Sequence, residues 1–225
     1  MYNIDYVGVF LSAGVQLRGE KKLESYSDYL KKLIDEHGSL NKNLLITKYT
    51  ENLKIASNKK IKIISISADT KGALTSLAFS LDHIDNEIPV VIFPTNSQVD
   101  VDISKFVESM KAEKCDAGVI CFQSNDPNYS YIRVKEGKII EFKEKEIVGD
   151  LATTGIFYFK SKNEIVKCLE WCLINNINTN GIYYLAPSLN YFVCNDMNIG
   201  LKTIPKENYH RLKIVPDIQN AQIGE

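Results

Sequence analysis

The sequence predicts an α/β fold on a mixed, mostly parallel central sheet, and three observations predict it. Short apolar runs alternate with amphipathic stretches of helical period through the first half of the chain, as parallel strands joined by crossover helices do. The run Val90 to Phe93 is wholly apolar, the composition of a strand covered on both faces. In the second half, Glu136-Gly137 separates two strand-like segments, which is the signal of an antiparallel hairpin inserted into such a sheet.

Element by element, Tyr6 to Leu11 reads as a buried first strand, ending in the loop that Ser12, Ala13 and Gly14 begin. Tyr26, Tyr29, Leu30, Leu33 and Ile34 recur at helical spacing and predict a helix over Ser25 to Glu36, with Ser25 as N-cap and Gly38 just past its end. Leu44 to Thr47 and Ile61 to Ser67 read as strands, Thr70 to Ile84 as a helix burying Leu74, Leu77, Ala78 and Leu81, and Pro89 opens the strand Val90 to Phe93. Val101 to Glu113 follows as a helix and Asp116 to Phe122 as a strand. Tyr129 to Val134 and Lys138 to Phe142 form the hairpin. Thr153 to Lys160 is a strand, Lys162 to Asn175 and Tyr183 to Cys194 are helices, and Ile199 to Ile204 is the last strand.

At 225 residues the chain suits one large domain, residues 1–225, without a linker or repeat. Twenty-seven basic residues against 28 acidic ones leave no basic excess for a nucleic-acid backbone, so no such partner is expected. No apolar run reaches the roughly 20 residues of a membrane span, and Met1 to Asp5 lack the features of a signal peptide. The chain is expected to be cytoplasmic, with no membrane partner. Cys115, Cys121, Cys168, Cys172 and Cys194 are odd in number and show no Cys-x-x-Cys spacing, which predicts reduced thiols in place of a disulfide framework. The aromatic stretch Tyr183 to Phe192 is either core or part of a dimer surface, composition favouring core, and a homo-oligomer is left open.

Ligands of an open α/β sheet collect at the carboxyl ends of its parallel strands, so the loops after Leu11, Ser67 and Phe93 should share one rim. They carry Ser12-Ala13-Gly14-Val15-Gln16-Leu17-Arg18 with Lys21-Lys22-Leu23, then Asp69-Thr70-Lys71-Gly72-Ala73-Leu74, then Thr95-Asn96-Ser97-Gln98-Val99-Asp100. Taken singly, each has a common structural meaning. A glycine turn ends a strand, Asp69 or Thr70 caps a helix, and Glu144-Lys145 further on is a solvated charge pair.

Together they are more specific. In order with Asp126-Pro127-Asn128, Gly137 to Lys145, Ala152-Thr153-Thr154-Gly155-Ile156-Phe157, and Asn180-Gly181-Ile182-Tyr183-Tyr184-Leu185-Ala186-Pro187, these segments resemble the sugar- and polyol-phosphate nucleotidylyltransferases of capsule and surface-polysaccharide metabolism. The resemblance implies a Rossmann-like, glycosyltransferase-A-like nucleotidyltransferase fold. It also implies transfer of a nucleotidyl group from an NTP to a phosphorylated sugar or polyol, with Mg²⁺ as cofactor. Carried over by position, Ala13 and Gly14 would hold nucleotide phosphate, Arg18 and Lys22 would neutralise charge during catalysis, and Thr70, Gly72 and Ala73 would bound the nucleotide. Glu144, Lys145, Thr154 and Gly155 would meet the second substrate, and Asn96 stands at the metal position.

Four departures cluster in the same expected cleft. Gln16 replaces a glycine of the phosphate loop, Lys22 stands at the proline of Lys-Pro-Leu, and Asn96 stands where the family has a metal-binding aspartate. His210-Arg211-Leu212-Lys213-Ile214-Val215-Pro216-Asp217 lies where it has Gly-Leu-Gly-Thr-Pro-x-Asp. A neutral amide is a poor substitute for a carboxylate toward Mg²⁺. Asp100 and Asp102 follow but read as partners of a helix start. The sequence therefore leaves two readings: an enzyme with altered substrates, or a pseudoenzyme that binds a nucleotide, a sugar nucleotide or a partner protein.

Overall fold

A computed structural model describes residues 5–12, 20–48, 55, 57–67 and 69–212, with the backbone alone for 20–25. In chain order the elements are β1 (Val7–Leu11), α1 (Glu20–His37), β2 (Lys42–Thr47), β3 (Ile61–Ser65), α2 (Ala73–Ala78), β4 (Val90–Pro94), β5 (Ser97–Val99) and α3 (Ile103–Ala112). There follow β6 (Ala117–Gln123), β7 (Ser130–Lys135), β8 (Lys138–Glu144), β9 (Leu151–Phe159), α4 (Lys162–Ile174), α5 (Leu185–Ser188), α6 (Asn190–Cys194), β10 (Ile199–Thr203) and β11 (Tyr209–Arg211). The main sheet runs β10-β6-β9-β4-β1-β2-β3. β1 is parallel to β2 and β4, β2 to β3, and β6 to β10, whereas β9 is antiparallel to both its neighbours. The expected mixed, mostly parallel sheet is what forms.

Successive strand residues face opposite sides, and both sides are apolar. Val9, Leu44, Ile92, Val119 and Phe157 pack under α2, α4 and α6 through Leu77, Cys168 and Phe192. Their neighbours Phe10, Leu45, Val91, Ile120 and Tyr158 pack under α1 and α3 through Leu30, Ile34, Phe106 and Met110. Cys115, Cys121, Cys168 and Cys172 are buried free thiols, while Cys194 is exposed. The stretch Tyr183 to Phe192 supplies Leu185, Ala186, Leu189 and Phe192 to this core. Among the described residues no helix is long and apolar enough to cross a membrane.

Several local expectations are corrected. The first helix starts at Glu20, which puts Ser25 inside it and not at its cap. The span Thr70 to Ile84 is not one helix: α2 ends at Ala78, and a short 3₁₀ turn follows over Leu81–His83. The buried Ser80 hydroxyl donates to Leu77 O at 2.6 Å at that break, giving the chain a local alternative to continued helix. Neither Asp69 nor Thr70 caps α2; Gly72 occupies that position. Tyr183 to Cys194 holds two short helices, because Tyr184 before the first is extended, Tyr183 bonds Lys71 and Leu74, and the Asn190 amide bonds both Phe142 N and Phe142 O. The hairpin turn forms as expected, with φ 52° at Glu136 and 78° at Gly137, the left-handed pair that a two-residue type I′ turn requires.

β9 is long enough to serve two partners on one side. Val90, Val91 and Ile92 of β4 pair with Phe159, Tyr158 and Phe157, and farther along Tyr131 and Ile132 of β7 pair with Ala152 and Leu151. The β7-β8 hairpin therefore stands beyond the carboxyl end of β4, and between them β9 residues 153–155 pair with neither.

Candidate functional site

The rim is built where β1, β2, β3 and β4 end. Ser12 N bonds Ile46 O at 2.8 Å, drawing the exit of β1 against β2. A chain of hydroxyls then ties β1 to α1 and β4. Thr95 Oγ1 donates to Leu11 O (2.9 Å), Tyr26 donates to Thr95 Oγ1 (2.8 Å), and Ser12 lies 2.7 Å from the Tyr26 hydroxyl. Ser12, Tyr26 and Thr95 are all buried. They were not singled out from the sequence, although Ser12 and Thr95 each sit just past an apolar strand. Ala13, Gly14 and Arg18, with Gln16, lie outside the described residues, as does the side chain of Lys22.

Asn96 follows Thr95 directly and is exposed. Its carbonyl accepts from Leu212 N at 2.9 Å, and Ser97, Gln98 and Val99 pair with Arg211, His210 and Tyr209 as an antiparallel ribbon. Asp100 N closes the far end on Asn208 O at 2.8 Å. This ribbon, β5 with β11, was absent from the sequence expectation. It places 210–212, where the departure from the family pattern begins, against the metal position. Ribbon residues alternate in face, so Asn96, Gln98 and His210 share one side while Ser97, Val99, Tyr209 and Arg211 share the other. Tyr209 stacks on Phe122 at 4.3 Å, and the Arg211 guanidinium lies 6.0 Å from the Tyr129 ring centre.

The metal position does not fit Mg²⁺. Asn96 offers a neutral amide, and among the described residues no group of three or more His, Cys, Asp or Glu is gathered to hold a metal ion. Asp102 is the N-cap of α3, accepting from Lys105 N at 3.0 Å. That bond, first among the causes, lowers its pKa, and it accounts for Asp102 as a structural residue. Hard divalent ions prefer clustered carboxylate oxygens, and the described residues gather no such cluster beside Asn96.

The second loop is held by an unusual glycine. Gly72 has φ +117°, and a Cβ there would lie 2.4 Å from Tyr183 O. Tyr183 N donates to Lys71 O (2.7 Å) and Tyr183 O accepts from Leu74 N (3.1 Å). Gly72 and Ala73 are thereby stapled to the 182–184 segment. Thr70 shares a 2.6 Å hydroxyl bond with Ser76. Asp69 pairs with Lys48 from the end of β2, a bond that holds its carboxylate below the usual range.

From Tyr184 the site continues to the hairpin. Lys145, with φ 55°, sets its ammonium 5.7 Å from the centre of the Tyr184 ring, within cation–π range. Its backbone N–H bonds Tyr129 O at 3.1 Å. Glu144 is half-buried and accepts from the Ser130 hydroxyl. Burial raises its pKa, against the opposing pull of Ser130 and the Lys145 charge. The Glu144 carboxyl oxygens are hydrogen-bond acceptors, one of them already engaged by Ser130.

Thr154 and Gly155 occupy a bulge. Val119 pairs with Phe157 and Cys121 with Thr153, so three residues of β9 oppose Ile120 alone, and the even excess preserves the facing of the core residues on both sides. The Thr154 hydroxyl donates to Ile120 O (3.0 Å) and accepts from Ile156 N (3.2 Å). It is only 2% exposed, so its oxygen is engaged in holding the bulge. Gly155, at φ +85°, faces Pro94, whose Cγ a Cβ would meet at 3.0 Å. Gly155 thus borders the end of β4 two residues from Asn96. The structure brings Asn96 and Gly155 together at this end of β4, and it links Gly72 and Ala73 through Tyr183 and Tyr184 to Lys145 and Glu144. Thr154 acts inside the strand.

A rim of this kind, on a mainly parallel sheet interrupted by one antiparallel strand and walled by a hairpin, defines an α/β protein of the open-sheet class, in which ligands characteristically collect at the carboxyl ends of the parallel strands. Residues 26–170 match the family model described as nucleotidyl transferase, and the chain belongs to that family. In structure it is similar to a nucleoside-diphosphate-sugar pyrophosphorylase from Vibrio cholerae RC9, with TM-score 0.66, 16% identity, and coverage of 90% of this chain and 93% of that one. It is also similar to a protein from Bacillus anthracis assigned as a glucose-1-phosphate thymidylyltransferase, in complex with a sucrose, with TM-score 0.60, 16% identity, and coverage of 89% and 87%. At that identity the likeness establishes the nucleotidyltransferase fold. Comparison with curated proteins gives no match.

Proposed function

We propose that this protein takes an NTP and a phosphorylated sugar or polyol at the carboxyl rim of its sheet. It transfers the nucleotidyl group between them in surface-polysaccharide biosynthesis, in the cytoplasm. In the reaction an oxygen of the acceptor phosphate attacks the α-phosphorus in line. A new P–O bond forms, the α–β P–O bond breaks, and pyrophosphate leaves. Such a reaction needs positioning and charge neutralisation more than covalent chemistry. The assigned roles are phosphate contacts from Ala13 and Gly14, positive charge from Arg18 and Lys22, and a nucleotide boundary at Thr70, Gly72 and Ala73. Lys145 supplies charge to the acceptor phosphate, and Glu144 contacts its hydroxyl-bearing part, with Gly155 leaving room beside Pro94. The observation that carries the proposal is the linkage of the Gly72 loop to Lys145 through Tyr183 and Tyr184, which joins the nucleotide segment to the acceptor segment.

Asn96 favours a second reading, a relative that binds without turning over, because the charge that would hold Mg²⁺ is absent. One experiment separates the two. The protein is incubated with Mg²⁺, each NTP, and a panel of sugar and polyol phosphates, while pyrophosphate release and thermal unfolding are followed together. Pyrophosphate release supports transfer. A ligand at a hundred times its Kd stabilises the fold by ~2.7 kcal/mol, so stabilisation without release supports the second reading. Neither response across the panel refutes both.

A further inference from the structure

A cleft of about 350 Å³ opens on the amino-terminal rim of the sheet, where Pro89 enters β4, Cys115 precedes β6 and Lys160 follows β9. β4 spans five residues, roughly 16 Å at strand rise, so no small ligand reaches both this cleft and Asn96. Tyr158, 1% exposed, lies at its base with its ring edge-on to Phe106 at 6.3 Å. Other buried tyrosines each direct the hydroxyl at a protein acceptor: Tyr6 at His37 O, Tyr26 at Thr95 Oγ1, and Tyr131 at Asp126 O. Tyr158 has no hydrogen-bond partner among the described residues, and it lines the cleft. Its ring is buried, but its hydroxyl is not among the buried polar atoms left without a partner, so the oxygen opens to the cleft, where water or a ligand can accept a hydrogen bond from it. Burial pushes its pKa up to about 12, which keeps it a neutral donor at ordinary pH.

The mouth is rich in donors. Lys111, Lys114 and Lys160 line it together with one carboxylate, Glu87. Nearby acids are engaged: Asp116 accepts from Lys160 (3.2 Å) and Asn198 N (3.1 Å), and Glu113 accepts from Ser109 (2.7 Å). Lys111 donates to Asp5 O at 3.2 Å, and Lys114 has no ion pair among the described residues. Met110 and Pro89 add apolar wall. We propose that this cleft binds a small organic anion, a carboxylate or phosphate monoester with an apolar body, whose oxygens accept from the Tyr158 hydroxyl and the Lys114 ammonium while its body lies against Met110 and Pro89. The proposal is independent of nucleotidyl transfer at the opposite rim.

Benzoate and phenyl phosphate distinguish the two anion types and are titrated by calorimetry and thermal shift into the full chain and three variants. At least one should bind saturably. Tyr158→Phe removes only an unpartnered hydroxyl, so its unliganded unfolding midpoint should match wild type while its affinity for the probe falls about tenfold, as for loss of a hydrogen bond to a charged group. Lys114→Gln should weaken the probe as well, and Lys145→Gln, on the opposite rim, should leave it unchanged. Failure of both probes to saturate, unchanged affinity in Tyr158→Phe, or loss of binding in Lys145→Gln overturns the proposal.

Discussion

The Thr154→Val variant tests how the bulge that shapes the rim is held. Valine matches threonine in outline, so no cavity forms, and the change reduces to one hydroxyl. That hydroxyl serves two backbone groups, donating to Ile120 O at 3.0 Å and accepting from Ile156 N at 3.2 Å, in a residue 2% exposed. Its loss leaves a carbonyl and an amide without partners where β6 and β9 are already out of register. Each buried orphan costs about 1–3 kcal/mol, and a total of roughly 2–4 kcal/mol is expected. Thr153→Val is the internal control. Thr153 is buried on the same strand, but its hydroxyl has no partner among the described residues, so the change should stay within about 0.5 kcal/mol. Urea unfolding reads both through the midpoint at constant slope. Equal costs for the two variants, or a Thr154→Val midpoint indistinguishable from wild type, would refute the account of the bulge.

Three further outcomes are expected. Gly72→Ala places a Cβ 2.4 Å from Tyr183 O at φ +117° and should destabilise the fold by about 2 kcal/mol or more; a wild-type unfolding midpoint contradicts the stapled-loop geometry. His37 is buried, and desolvation lowers its pKa, with Glu36 and Asp100 pulling upward and Lys59 downward. The unfolded chain, near 6.5, then takes up the proton first. Stability from the neutral ring is full above that pH and is lost as pH falls from there through the depressed folded value. Unfolding curves from pH 8 to pH 5 should show that loss, and His37→Gln should flatten it. Asn96→Asp should make nucleotide binding more Mg²⁺-dependent in calorimetric titrations with and without chelator, and identical affinities in the two proteins would show that Asn96 does not occupy the metal position.

Elements coded by their own neighbours were legible in the sequence. The apolar run of β4 signals burial on both faces, the Glu136-Gly137 pair its two-residue turn, and the acidic helix start at Asp102 its cap. Gly72 and Ala73, named from the family resemblance, lie at the start of α2. The helix over 70–84 was overextended because its period persists past Ala78, while the interruption comes from the Ser80 hydroxyl, which competes for a backbone carbonyl. Thr154 is a similar case: as a sequence position it looks ready for a ligand, yet its oxygen is committed to a bulge whose existence depends on the register of β6.

By itself the sequence determined the strands of the main sheet, the helices that alternate with them and the apolar cover on both faces, since these follow from residue spacing within one turn or one pleat. Tertiary structure alone decided that 209–211 pair with 97–99 beside Asn96, that Tyr183 clamps Gly72, and that the Tyr158 hydroxyl finds no acceptor among the described residues. Each of these joins residues far apart in the chain through hydrogen bonds or close contacts whose register is set only when the sheet and its helices close around a common core.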